Sequence, residues 1–308
     1  MQIYLPIADL PVNIFLLLGM GMAVGFISGM FGIGGGFLMT PLLIFVGVSP
    51  AVAVASVASH IAASSFSGAL SYWRKNALDE MLAIMLLVGG FIGTATGVWL
   101  FTVLRRMDQL DLMIGLSYVT LLSIVGGLMV YEGARAMLRE YRGVPGMPRT
   151  PGSHTWVHGL PLKMRFKRSK IYVSTIPVLG IGFIIGFVGA IMGIGGGFLL
   201  VPMLIYFLRV PTSTVIGTSM VLTLVTMASA TVLHATTNHL VDALLAFILM
   251  VGGGTGAQFG ARTGQKMRAE RLRLLLGLLV FAVGLRFAYS LVVQPEDLYS
   301  IRLLEGGV

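Results

Sequence analysis

Gly32-Ile33-Gly34-Gly35-Gly36-Phe37-Leu38-Met39-Thr40-Pro41 returns, 161 residues later, as Gly193-Ile194-Gly195-Gly196-Gly197-Phe198-Leu199-Leu200-Val201-Pro202. Each copy closes one apolar segment long enough to cross a bilayer and opens another apolar run. Three consecutive glycines disfavour the helix and open left-handed backbone, so the helical hydrogen-bond ladder breaks there. Hydrocarbon tolerates such a break only where protein or a wet cavity covers the freed backbone groups. Broken segments in corresponding positions of two halves are the sequence mark of a secondary transporter, with its site where the breaks meet.

The repeat extends outward from the glycines. Pro50 matches Pro211, Asp79 matches Asp242, and Gly89 to Gly97 (GGFIGTATG) matches Gly252 to Gly260 (GGGTGAQFG). The offset passes from 161 to 163, which places a two-residue difference near residues 51–56 or 212–219. Each half contains five apolar pieces: 12–31, 37–47, 51–73, 81–104 and 111–130, then 174–192, 198–208, 212–236, 243–264 and 272–293. Most approach the roughly 20 residues that a spanning helix needs. The second piece of each half is short, about 16 Å as a helix at 1.5 Å per residue. It reads either as a re-entrant segment or as a half-helix that completes a crossing with the extended glycines.

Charge arbitrates between these. Four spans per half would put Lys266, Arg268, Arg271 and Arg273 outside when the basic linker is inside. Five spans per half put them inside, together with Arg74, Lys75, Arg209 and the linker, and leave Arg105, Arg106 and Arg302 outside. The positive-inside rule therefore favours five, and an odd number per repeat inverts one half relative to the other. The expected fold is an all-α polytopic membrane protein of about ten segments, two of them short and led by GIGGG. They form two inverted-topology repeats of five, with both termini outside. Residues 1–130 are read as the first transmembrane repeat, 131–173 as a basic cytoplasmic linker, 174–293 as the second repeat and 294–308 as a C-terminal tail.

Composition agrees. Hydrophobic residues make up 56% of the chain and charged residues 11%, about half the charged share of soluble domains. The mean hydropathy is +0.92. The formal charge of +9 is not spread evenly, since nine of the 21 Lys and Arg lie between Tyr131 and Val173. Positive charge between apolar spans fits cytoplasmic loops against anionic head groups. The segment lacks the interleaved aromatics and reader motif of a nucleic-acid partner, so that class is excluded. Gly143 to Pro161, rich in Pro and Gly, reads as a flexible tether, with Lys163 to Lys170 near the inner leaflet. Val12 to Phe31 has no basic region before it and is long for a signal segment, so it is read as the first span. With no cysteine in the chain, disulfides, thiolate ligands and cysteine nucleophiles are excluded.

The glycine motif carries chemistry of its own. A helix starting at Phe37 or Phe198 presents unpaired N–H groups and the positive end of its dipole, and such an end binds anions without a basic side chain. Gly34, Gly35, Gly36 and Phe37, with Gly195, Gly196, Gly197 and Phe198, are the candidate substrate contacts; the competing role is close helix packing. Hydroxyls in the third piece of each half, Ser56, Thr218 and Ser219, are candidate donors to an oxyanion, or bond back to their own helices. His60, His234 and Gln258 are the candidate coupling or pocket-lining polar groups, and Arg286 lies within the last span. All twelve acids lie at segment ends, in loops or at the termini, and Asp79 and Asp242 read as helix caps. A span without a carboxylate argues against cation pumping. No H-E-x-x-H, G-x-S-x-G or P-loop lysine is present, so neither an enzyme, a metal site nor a cofactor site is expected.

The paired GIGGGF…P motifs, Gly217-Thr218-Ser219, the N-x-x-D pattern of Asn76 and Asp79, and the GGxxG segments resemble the TauE/SafE family of membrane proteins. The resemblance covers nearly the whole chain outside the linker and tail. It implies movement of small sulfur-containing anions: sulfite, sulfoacetate and related organosulfonates. The first half departs from the pattern, with Ala55-Ser56 where a GTS would stand. The expected function is export of such an anion across the inner (cytoplasmic) membrane by alternating access around the paired helix N-termini. The alternatives are an uptake permease for a small oxyanion and an anion channel. The expected partners are the anion and the lipid bilayer, and a homo-oligomer is left open.

Overall fold

The computed structural model describes residues 2–31, 34–74, 78–141, 162–166, 171–207, 212–264 and 269–292. Among them, strands β1 (Gln2–Leu5) and β2 (Leu10–Asn13) form an antiparallel hairpin. It feeds α1 (Ile14–Phe31), α2 (Gly36–Phe45), α3 (Pro50–Arg74), α4 (Glu80–Arg106) and α5 (Leu110–Tyr141). A second hairpin, β3 (Lys163–Phe166) with β4 (Ile171–Ser174), leads into α6 (Thr175–Met192), α7 (Gly197–Tyr206) and α8 (Thr212–Leu233). A π-helical turn over His234–Asn238 then precedes α9 (Ala243–Gly264) and α10 (Ala269–Val292). Among the described residues, five helical stretches are long and apolar enough to cross a membrane: Glu80–Arg106, Leu110–Arg135, Thr175–Met192, Val215–Asn238 and Ala243–Gly260. The chain is an all-α, multi-spanning membrane protein.

Its outer surface supports that. Phe15, Trp99, Phe247, Phe259 and Ile124 are all more than half exposed on the flanks of long helices. In water such a belt would be a large sticky patch; lipid makes it the solvated face.

Helix starts follow local chemistry. Asp79, in extended backbone, accepts from the N–H of Leu82 at 3.3 Å and caps α4. Asp242 accepts from Leu244 and Leu245 at 3.1 and 3.0 Å and caps α9. Its second oxygen takes the N–H of Ile7 at 3.0 Å, which ties the N-terminal hairpin to the bundle. Ser174 closes β4 and accepts from Ile176, starting α6.

The helices pair across the halves: α1 packs along α9, α4 along α6, α5 along α10 and α3 along α8. The first two seams are backbone against backbone. A Cβ on Gly25 would lie 2.3 Å from the carbonyl oxygen of Gly253, and one on Gly186 would lie 2.1 Å from that of Gly90. Small residues permit this approach, as they do in membrane helix packing generally.

One boundary differs from the sequence reading. Helix α5 does not stop at residue 130 but continues to Tyr141, eleven residues into the stretch read as linker. Ala-Arg-Ala-Met-Leu-Arg-Glu over 134–140 is a run of strong helix formers, so propensity carries the helix past the apolar segment. Residues 142–161 of the linker, the loop 265–268 and the tail 294–308 lie outside the described residues. So do Gly32, Ile33, Lys75, Asn76 and Pro211.

Candidate functional site at the paired helix breaks

The two glycine breaks touch. Gly34, Gly35, Gly193 and Gly195 have φ of 88°, 66°, 64° and 74°, left-handed values that side-chain-bearing residues rarely adopt. Through these turns the chain reverses out of α6 into α7, and enters α2 from Gly34. A Cβ on Gly36 would lie 2.6 Å from the carbonyl oxygens of both Gly193 and Ile194. Only hydrogen fits there. One residue on, the Phe37 and Phe198 rings stack at 4.7 Å between centroids and 14° between planes, both fully buried. The first turns of α2 and α7 therefore meet near one point.

Side chains from the central pair α3 and α8 wall this crossing. Ile61 Cγ2 and Thr223 Cγ2 stand 3.4 and 3.5 Å from the Cβ position of Gly34, and 2.8 and 3.4 Å from that of Gly195. Thr40 donates to the Gly193 carbonyl at 3.3 Å, and the buried Tyr118 hydroxyl donates to that of Met192 at 2.5 Å. These two bonds hold the α6–α7 break. No Lys or Arg is buried among the described residues, so the positive potential at the crossing comes from the two helix N-termini.

The other expected site residues lie elsewhere. Ser56 is buried on α3, and its hydroxyl accepts the N–H of Asp242 at 3.0 Å, joining α3 to the α9 cap. Ser219 is buried and donates back to Ile216 of its own helix at 2.9 Å. Thr218 is buried beside it. His60 is buried with Nδ1 2.8 Å from the Leu249 carbonyl, its ring filling the space that a side chain on Gly253 would need. That contact assigns the proton to Nδ1 in the neutral ring. His234 places Nε2 3.1 Å from the Ala190 carbonyl, takes Asn238 Nδ2 at 3.3 Å on Nδ1, and sets its ring edge against Phe101. Both ring nitrogens of His234 are thus used within the fold. Gln258 is exposed on α9, and the Arg286 guanidinium lies over the rings of Phe45 and Tyr289 at 5.1 and 5.8 Å.

Two buried side-chain atoms lack a hydrogen-bond partner among the described residues: His60 Nε2 and Thr223 Oγ1. Sequence reading singled out the first and passed over the second. A signal was available, because Thr223 follows His60 by 163 residues, the offset of the second part of the repeat.

A polytopic helical bundle whose centre is two interrupted helices meeting at their N-termini belongs to the class of membrane transporters. The chain matches the family model for the sulfite exporter TauE/SafE over residues 17–287, and it belongs to that family. It is 31% identical over 281 residues to a probable membrane transporter protein of Xylella fastidiosa (strain 9a5c), covering 89% of this chain and 94% of that one. It is 23% identical to the probable membrane transporter protein YunE of Bacillus subtilis (strain 168), covering 89% of this chain and 97% of that one. The sulfite exporter TauE/SafE family protein 2 of Arabidopsis thaliana matches at 30% over 126 residues, 40% of this chain and 27% of the plant protein. No solved structure matches. The protein is accordingly a multi-pass protein of the bacterial inner membrane that moves a small anion by secondary transport, and it is not an enzyme.

Proposed function

We propose that the protein exports a small sulfur-containing anion, sulfite or an organosulfonate such as sulfoacetate, by alternating access at the α2–α7 crossing. The observation that carries this is the contact of the two breaks at Gly36, Gly193 and Ile194, with Phe37 stacked on Phe198. Two helix N-termini converging in a buried centre form an anion site in the manner of broken-helix transporters. The sulfur comes from the family; the charge comes from the geometry. Backbone at Gly34–Phe37 and Gly195–Phe198 makes the contacts. Ser56 and Ser219 reach an anion only by exchanging their present bonds, with Thr218 alongside. Export of an anion from a cell with a negative interior is favoured by about 2.3 kcal/mol per charge per 100 mV, so no coupled cation is required.

The two halves are proposed to be inverted repeats of five, with the first closing at the end of α5. Matching contacts support this. A Cβ on Gly89 would meet the Leu179 carbonyl oxygen at 2.1 Å, and one on Gly252 would meet that of Leu18 at 2.6 Å. These are equivalent residues of the two halves with their roles exchanged. In the inverted arrangement the basic linker and the loop after α9 share the cytoplasmic face. Cysteines placed singly at Ser153 and Ala269 should then be labelled from the same side, since the chain has no cysteine of its own; opposite accessibility would exclude five crossings per half.

The functional test is a proteoliposome flux panel over sulfite, sulfate, sulfoacetate, acetate and chloride, with and without a pH gradient. Saturable, counterflow-competent flux of sulfite or sulfoacetate is expected. Flux that never exceeds the electrochemical gradient and shows no counterflow would make the protein a channel. Absence of sulfite and sulfonate flux would overturn the proposed cargo.

A further inference from the structure

Thr223 lies in the middle of α8 and is 1% exposed, yet its hydroxyl has no partner among the described residues. A membrane-helix threonine ordinarily returns its hydroxyl to a carbonyl three or four residues back. Its neighbours on the same helix do so: Ser219 to Ile216, Thr226 to Leu222 at 2.8 Å and Thr231 to Met227 at 2.9 Å. Thr223 alone among these is turned away from its own backbone. Its Oγ1 stands 3.4 Å from the Cβ position of Gly196, the residue that caps the N-terminus of α7. A buried hydroxyl left unpaired is costly, and the fold places this one at a helix end that attracts anions. The equivalent residue of the first half, His60, holds the other unpartnered buried atom, so this position carries an unsatisfied polar group in both halves.

The charge at the crossing is limited. Each of the helices beginning at Gly36 and Gly197 brings about half a positive elementary charge, about one together. The rest of the wall holds no charged side chain: it is Phe37, Phe198, Ile61 and Ile185, with the neutral hydroxyls of Ser28, Thr40 and Ser65 within 4 Å of the Cβ positions of Gly35, Gly193 and Gly34. A second negative charge would sit there without compensation in a medium of low dielectric. We infer that the crossing binds one singly charged oxyanion and that Thr223 is the side chain that donates a hydrogen bond to it. The inference rests on the transport reading above and narrows it: hydrogensulfite and a monosulfonate carry one charge and fit, whereas sulfoacetate, with a sulfonate and a carboxylate, carries two at neutral pH and does not.

The test uses the full-length protein in proteoliposomes, with methanesulfonate, singly charged at every working pH, and sulfate, doubly charged, as probes. Wild type should half-saturate with methanesulfonate at about a tenfold or more lower concentration than with sulfate. Thr223→Val should raise the half-saturating methanesulfonate concentration about ten- to a hundredfold, the range for a bond to a charged group. Thr223→Ser should keep wild-type affinity. The ligand-free valine variant should have a Tm equal to or above wild type, because it deletes an unpaired hydroxyl and keeps the side-chain shape. That pairing, affinity down with Tm not down, is one a packing role does not produce. Unchanged methanesulfonate affinity in Thr223→Val, a valine variant with lowered Tm, or equal affinity of wild type for sulfate overturns the inference while leaving transport standing. If wild type moves neither probe nor sulfite, the transport reading fails and this inference fails with it.

Discussion

Gly196→Val is expected to abolish anion flux while leaving a folded, membrane-inserted protein. Gly196 has φ −62° and ψ −25°, backbone that any residue adopts, so the substitution adds no backbone strain. The added Cβ meets the branch methyl Cγ2 of buried Ile185 at 2.4 Å, which must shift at a cost of about 1–3 kcal/mol, and then Thr223 Oγ1 at 3.4 Å. Valine therefore fills the space in front of the α7 N-terminus without prying the two breaks apart. The neighbouring glycines make poorer tests. Gly195 has a φ of 74°, and Gly36 faces two carbonyl oxygens at 2.6 Å, so a side chain at either position damages the fold itself. The measurement is counterflow of sulfite in proteoliposomes beside the Tm and elution profile of the purified variant. Counterflow no greater than empty liposomes, from a variant that elutes as one folded species with a Tm somewhat below wild type, is the expected result. Wild-type counterflow would show that the glycines serve packing alone.

Much of this arrangement was legible in the sequence because it rests on residues with few uses. Three glycines in a row inside an apolar run interrupt a helix, and their repetition brings two interruptions together. Asp79 and Asp242, each just ahead of an apolar run, read as caps and cap α4 and α9. The two hairpins were not legible, since strands of four residues such as Gln2–Leu5 and Lys163–Phe166 show no usable alternation. The extension of α5 to Tyr141 escaped because hydropathy ends a span where helix propensity does not end a helix. Side-chain direction was hardest. Ser56, Ser219 and Thr223 are alike on paper, and only the packing of α3 and α8 decides which hydroxyl bonds to a cap, which to its own helix and which has no partner among the described residues.

The second large effect concerns the seams. Helix α1 packs on α9 and α4 on α6, so neither half is a separate body. The buried residues Leu82, Leu86, Ile185, Leu200, Leu204 and Leu222 form one apolar cluster from α4, α6, α7 and α8, while a larger cluster draws on α1, α2, α3, α5, α9 and α10 and also on Phe101 of α4, Ala190 of α6, Phe198 of α7 and Met227 of α8. The repeat makes the α1–α9 and α4–α6 seams equivalent, each holding together one unit drawn from both halves. A seam must then be as necessary in one unit as in the other. Gly25→Val and Gly186→Val, equivalent positions 161 residues apart, should each fail to give a monodisperse folded protein. A side chain at either drives into a backbone carbonyl within 2.3 Å, overpacking worth about 3 kcal/mol or more where no side chain can yield. Gly19→Val and Gly180→Val, also 161 residues apart and on the same two helices, meet nothing within 4 Å and should purify and transport as wild type. Size-exclusion profiles and Tm values of the four variants decide the matter. Failure at Gly25 with tolerance at Gly186, or the reverse, would show that the halves are not equivalent bodies and would remove the symmetry on which alternating access is argued.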